Sequence, residues 1–314
     1  MNARAFEKIM KPIKLRDGNR LNPLNLNDFF VRSPYNSEKI EIRDWTLNIG
    51  GMVKKPRGLS YTDLLENYSK YHVVATLECV RNEAGGSLVG TALWSGPALR
   101  DVLEDVDMEP ESTEVLFEGA DGLFTLARAN SLPLEEALKP HILLAYEMNG
   151  RPLPIDNGFP LRVVAPGFYG DKWRKWLTGI KAINDEFMPS QIPKNPKTER
   201  LVLTTKLLRP LRGEIISREP FSIVGASWGS DAGIGRVEVS VDGGNNWERV
   251  KIIWEPPSPQ AWTVWEWTWY PMKCGDYEIT AIATDKKGKE QITEKCEQYP
   301  SGLAGLHRIN VEVC

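Results

Sequence analysis

Apolar positions fall into two regimes along the chain. Between residues 40 and 190 they come as short, nearly continuous runs, each stopped by glycine, proline or a polar pair. Val73–Leu77 (Val-Val-Ala-Thr-Leu) and Leu161–Ala165 therefore read as buried strands, and the runs from Val115 into the Asp121 turn and from Leu143 to Met148 as further strands. Trp45 to Val53 reads as a further strand turning at Gly50-Gly51. Helical spacing is scarcer. Ser60 and Asp63 open a short helix as cap and first-turn acid. Leu99, Val102, Leu103 and Val106 recur at helical spacing after Ser95-Gly96-Pro97, where a proline near the first position forfeits no hydrogen bond. Ser131 to Leu138 reads as another short helix with an early proline. Asp121-Gly122 and Asn149-Gly150 are turn signals.

Beyond Pro189 the pattern changes. Prolines and charges through Pro210 mark a linker. Short strands spaced by turns then follow: Phe221–Ala226, Arg236–Val241, Trp247–Ile253, Ala261–Tyr270, Tyr277–Ala283 and Leu306–Val313. Asp242-Gly-Gly-Asn245 joins two of them as a hairpin. That spacing predicts an immunoglobulin-like β-sandwich. Thr263, Trp265, Trp267 and Trp269 share one strand face, as sandwich core in preference to a sugar platform. The expected class is α+β: a polar arm over 1–27, lightly ordered, a mixed α/β domain over 28–190, and a linker with the sandwich over 191–314.

Composition narrows the partners. A net charge of −3 gives no reason to expect nucleic acid or an anionic membrane surface. No segment is long and apolar enough to span a bilayer, and Met1–Arg20 lacks a signal-type apolar run, so the expected location is cytoplasmic. The four cysteines form no Cys-x-x-Cys pair. Cys274 and Cys296 are expected as two buried thiols in preference to a disulfide.

Cys79 follows the Val73–Leu77 run where Glu78, Arg81-Asn82-Glu83 and Gly85-Gly86 end the strand. An isolated cysteine is often a small buried hydrophobe. A thiol beside arginine, asparagine and paired glycines is also a nucleophile or a soft-metal ligand. A cysteine hydrolase needs a histidine partner, and the chain has only three. The second chemical stretch runs from Leu153 to Leu177. Arg162 interrupts a buried strand, which is costly unless its charge has a partner. Lys172, Arg174 and Lys175 follow beside glycine turns, an arrangement that favours an anionic ligand over a merely solvated face.

Cys79 with Asn82, followed by Trp94, Gly96, Leu99, Arg100, Asp101, Val102 and Leu103, resembles the sulfite oxidase family of molybdenum enzymes. Further matches run in order along almost the whole chain, including Val241-Asp-Gly-Gly-x-x-Trp247 and His307-Arg-Ile-Asn-Val311. The resemblance implies a mixed α/β molybdopterin-binding domain followed by a dimerisation domain, and hence a homodimer. It makes the Cys79 thiolate the molybdenum ligand. It places Arg32, in Phe30-Val-Arg32, on the substrate side of the metal, with Arg81 as a second cation. Ser33, Asn82, Asp121, Asn157, Arg162, Trp173, Arg174 and Lys175 fall at cofactor-binding positions. The family continues Asn-His where this chain has Ser33-Pro34.

The implied reaction moves an oxygen atom to or from a small sulfur compound. Electrons pass to an external partner such as a cytochrome or a quinone-linked protein, since no haem motif is present. The reverse direction would make the chain an S- or N-oxide reductase; a cofactor-free binding protein on the same fold is a further alternative. Sulfite oxidases carry a pair of arginines after the loop asparagine, where this chain has Glu83-Ala84. Replacing a cation by an anion about 4 Å from a charged substrate reverses roughly 4 kcal/mol at an effective dielectric of 20. Sulfite is therefore expected to be a poor substrate, or to bind differently.

Overall fold

The computed structural model describes residues 9, 11–25, 29–32, 40–122, 130–184, 200–294 and 305–314. Two compact units are present: Val31–Val73 with Ala92–Glu199, and Met1–Phe30 with Val74–Thr91 and Arg200–Cys314.

In the first unit a five-stranded sheet runs in the order Arg57–Ser60, Thr46–Gly51, Leu177–Ile183, Glu114–Gly119, Ser131–Pro133. The Leu177–Ile183 strand is parallel to Thr46–Gly51 and antiparallel to Glu114–Gly119. Leu47, Ile49, Val115, Phe117, Leu177 and Ile180 bury its core face. Arg162–Val164 pairs with Leu143–Ala145 in a smaller sheet. The Tyr61–Glu66 helix carries the expected capping box: the Ser60 hydroxyl accepts from the Asp63 N–H, and the Asp63 carboxylate accepts from the Ser60 N–H. Two elements differ from the sequence reading. Ser95-Gly96 closes a strand, Val89–Gly96, and the following helix begins only at Leu99 with Ala98 as its cap. Every residue of that strand is buried, so no period of two marks it. Ser131–Pro133 is likewise a strand, and the helix behind it is the single turn Leu134–Ala137.

The second unit contains the expected sandwich. One sheet orders Thr204–Arg209, Phe221–Trp228, Thr263–Trp269 and Lys251–Trp254; the other orders Ile215–Ile216, Arg308–Val313, Gly275–Asp285, Ile234–Ser240 and Glu248–Arg249. Trp265 and Trp269 lie in its core among Ile223, Val237, Ile279 and Ile309, with Trp267 packed against it. Thr204–Arg209, expected as linker, is a full strand, because its pairing partner lies across the chain at Phe221–Trp228. The described part of the N-terminal arm is not loosely ordered. Ile13–Lys14 pairs with Arg20–Leu21, Leu15 and Leu24 are buried, and Asp17 bridges to Arg209. Cys274 is exposed, not a buried thiol, and Cys296 lies outside the described residues.

Candidate active site

Cys79 sits where its strand ends. Tyr71–Glu78 runs out one residue earlier, and the thiol is half-buried and free. Its backbone closes the loop from both sides: the Cys79 N–H donates to the Leu88 carbonyl at 3.0 Å, and the Asn82 N–H donates to the Cys79 carbonyl at 2.8 Å. The Asn82 side chain is the clasp across this loop. It donates to the Glu78 carboxylate at 2.9 Å and accepts from the Leu88 N–H at 2.9 Å. Both of those contacts are internal to the protein. Gly86 must lack a side chain, since a Cβ there would lie 2.6 Å from Asn82 Oδ1. Gly85 takes φ +77°, where only glycine is unstrained.

Glu78 is 4% exposed, at the end of the largely buried Tyr71–Glu78 strand. Its other oxygen accepts from Trp228 Nε1 at 2.8 Å. Burial pushes its carboxyl up to about 7, against the two hydrogen bonds that favour the charged form. Arg81 and Glu83 point into solvent on either side of buried Asn82.

The basic stretch forms a distinct cluster. Arg162 is 2% exposed and lies against two indoles, 4.9 Å from the Trp94 ring and 5.8 Å from the Trp173 ring. Its guanidinium donates to the Asn157 carbonyl at 2.8 Å and to the Trp173 carbonyl at 3.1 Å. Among the described residues no carboxylate pairs with it, so burial lowers its pKa to about 9. The partner that the sequence reading required for this charge is therefore a set of carbonyls and aromatic faces, not an acid. Arg174 pairs with Asp121, while its Nε is buried with no partner among the described residues. Lys175 donates to the Asp156 carbonyl at 2.8 Å and the Arg32 carbonyl at 3.3 Å. Burial, then the nearby Arg162 charge, brings Lys175 down to about 8. The next residue, Trp176, takes φ +51°, a left-handed conformation that bulky residues avoid.

Of the residues singled out from sequence, Asp121, Asn157, Arg162, Trp173, Arg174 and Lys175 come together in this cluster, and the Arg32 backbone joins them. The Arg32 side chain is exposed. Trp173 is buried with its N–H on the Phe168 carbonyl, so it walls Arg162. Cys79, Asn82 and Arg81 share the loop. Ser33 lies outside the described residues. The sequence reading named Glu78 only as a strand end and Trp94 only as a motif residue, and gave neither a contact in the site. A glutamate closing a buried run was a usable signal for the first; nothing local marks Trp228, 150 residues away from its partner.

Residues 34–191 match the family model for the oxidoreductase molybdopterin binding domain. Human mitochondrial sulfite oxidase is 32% identical over 298 residues, covering 81% of this chain and 54% of that protein. Chicken sulfite oxidase is 30% identical over 301 residues, covering 82% of this chain and 65% of the relative. The NADH nitrate reductase of Brassica napus is 27% identical over 347 residues, covering 91% and 38%. The chain thus spans about half the length of the mammalian relatives it matches. The crystal structure of the sulfane dehydrogenase SoxCD from Paracoccus pantotrophus superposes with a TM-score of 0.75 at 23% identity, over 92% of this chain and 83% of that one, which establishes the shared fold. With half its length inside that family model and the motif residues standing at the matching positions, the chain belongs to the sulfite oxidase family of molybdopterin-binding oxidoreductases.

Proposed function

We propose that this chain is a molybdenum oxidoreductase that transfers an oxygen atom to or from a small sulfur compound and exchanges electrons with a separate protein. The half-buried Cys79 thiol at the end of its strand carries the reading. The residues fit the group. A thiolate is the soft ligand a redox-active molybdenum requires. The buried, unpartnered Arg174 Nε and the carbonyl-held cations Arg162 and Lys175 suit an organic phosphate. When bound, the cofactor supplies two-electron oxygen-atom transfer.

The chain's own residues supply binding and orientation. Arg162 holds the Asn157 and Trp173 carbonyls in place. Arg174 and Lys175 offer N–H donors to the phosphate. Exposed Arg32 and Arg81 orient an anionic or polarised substrate, while Glu83, also exposed, repels an anion. This charge balance supports a sulfur compound less anionic than sulfite; efficient sulfite turnover with a micromolar KM contradicts it. The external electron partner is proposed on the likeness to the sulfite oxidase family. Homodimerisation through the sandwich unit is supported by its exposed Leu211, Ile215, Tyr270 and Met272.

The deciding experiment is metal analysis of purified protein. Stoichiometric molybdenum in the wild type, lost in Cys79→Ser, is the expected result. Native protein without molybdenum, or a Cys79→Ser variant that keeps it in full, refutes the reading.

A further inference from the structure

We propose that Trp228 is a positioning residue for the Cys79 thiolate, acting through Glu78 and Asn82. This rests on Cys79 being the metal ligand. A chain of three hydrogen bonds runs from the sandwich strand Phe221–Trp228 to the base of the loop: Trp228 Nε1 to Glu78 at 2.8 Å, Asn82 Nδ2 to Glu78 at 2.9 Å, and Leu88 N–H to Asn82 Oδ1 at 2.9 Å. Glu78 and Leu88 are the residues that flank and clamp Cys79, whose own N–H is held by Leu88. The indole is itself fixed: it is 1% exposed and packs edge-on against Trp262, whose backbone N–H is held by the Thr76 hydroxyl.

Two further side chains from the same unit brace the far side of the loop. Lys206 Nζ donates to the Gly86 carbonyl at 2.8 Å. His307 fills the space beside Gly85, where a Cβ would lie 2.2 Å from its Nε2, while its Nδ1 accepts from the Leu207 N–H. A loop of glycines and polar residues has little packing of its own to hold one conformation. Here its shape is imposed by side chains more than a hundred residues away in sequence. The sandwich unit thus sets the direction of the thiol, beyond any role in assembly.

The test compares the full chain, produced without cofactor, with Trp228→Phe and with Trp265→Phe. The second variant removes another buried indole hydrogen bond of the same unit, to the Ser227 hydroxyl, which is not one of the bonds that link Trp228 to the loop. The probe is iodoacetamide, and labelling of the Cys79 peptide is followed by mass spectrometry. Leaving the buried Glu78 oxygen without its indole donor shifts the population of open loop by about tenfold or more, so Cys79 labels faster by that factor in Trp228→Phe and at the wild-type rate in Trp265→Phe. In cofactor-loaded protein only Trp228→Phe shifts the sulfur-to-metal charge-transfer absorption. Equal labelling rates in the two variants, or an unshifted band in Trp228→Phe, overturn the proposal. Should Trp228→Phe fail to fold, Glu78→Gln, which opposes an amide to one of the two donors, is read by the same criteria. Labelling needs no metal, so its outcome is independent of whether native protein carries molybdenum.

Discussion

Replacing Arg162 by methionine separates what this residue does for folding from what it does for an anion. The folding contributions nearly cancel. The substitution leaves the Asn157 and Trp173 carbonyls without donors, at about 1–3 kcal/mol each. It also removes the stacking on Trp94 and Trp173, about 1–2 kcal/mol. Against this, burial has depressed the guanidinium from its ordinary value to about 9, which corresponds to a standing cost of roughly 5 kcal/mol that methionine relieves. Cofactor-free Arg162→Met should therefore lie within about 3 kcal/mol of wild type. Anion binding should weaken, because the cluster with Arg174 and Lys175 loses one of its three cations, even though removing the Arg162 charge relieves its repulsion of Lys175. Inorganic phosphate at tenfold its Kd stabilises the wild type by about 1.4 kcal/mol, or about 3–6 °C in Tm for a unit of this size. The assay is thermal unfolding of the cofactor-free chain in phosphate against chloride at matched ionic strength. An equal phosphate shift in Arg162→Met would refute the reasoning. So would a loss above about 4 kcal/mol without phosphate, which would make Arg162 a strut alone.

Three other outcomes follow from the same geometry. Lys175 has a folded pKa of about 8, below its unfolded value, so the folded chain sheds this proton first and its burial penalty is relieved as pH rises through 8; stability should rise from there toward the unfolded lysine pKa, phosphate affinity should fall over the same rise, and both trends should vanish in Lys175→Met, as pH-resolved melts and titrations would show. Gly96→Ala places a Cβ 2.0 Å from the Leu144 carbonyl and 2.9 Å from Ala145 Cα, so urea unfolding should show a loss of about 1–3 kcal/mol or more. Leu211→Asp with Met272→Asp should convert a dimer to monomer in light scattering without lowering Tm, since both side chains are exposed; an unchanged mass removes this face as the interface.

Where the chemistry lay was legible wherever neighbours in sequence decide the outcome. Cys79 at a strand end, the Ser60 cap, the Asp121-Gly122 turn and the alternating Arg308–Val313 strand of the sandwich all depend on residues within a few positions of each other, and each appears in the structure. The anomaly of Arg162 in an apolar strand was legible too, as a charge in need of a partner. Its actual partners were not: the Asn157 carbonyl lies close in sequence, but the Trp94 face comes from a strand that all-round burial hides from periodicity.

The order of residues alone determined the family, the place of Cys79 at a strand end and the basic stretch, because local dihedral preferences and motif spacing are properties of contiguous chain. Folding decided the rest. That Asn82 closes a loop, that Trp228 reaches Glu78, and that residues 11–25 pack beside the sandwich are choices of long-range packing, where one partner's position depends on how every intervening element has already closed.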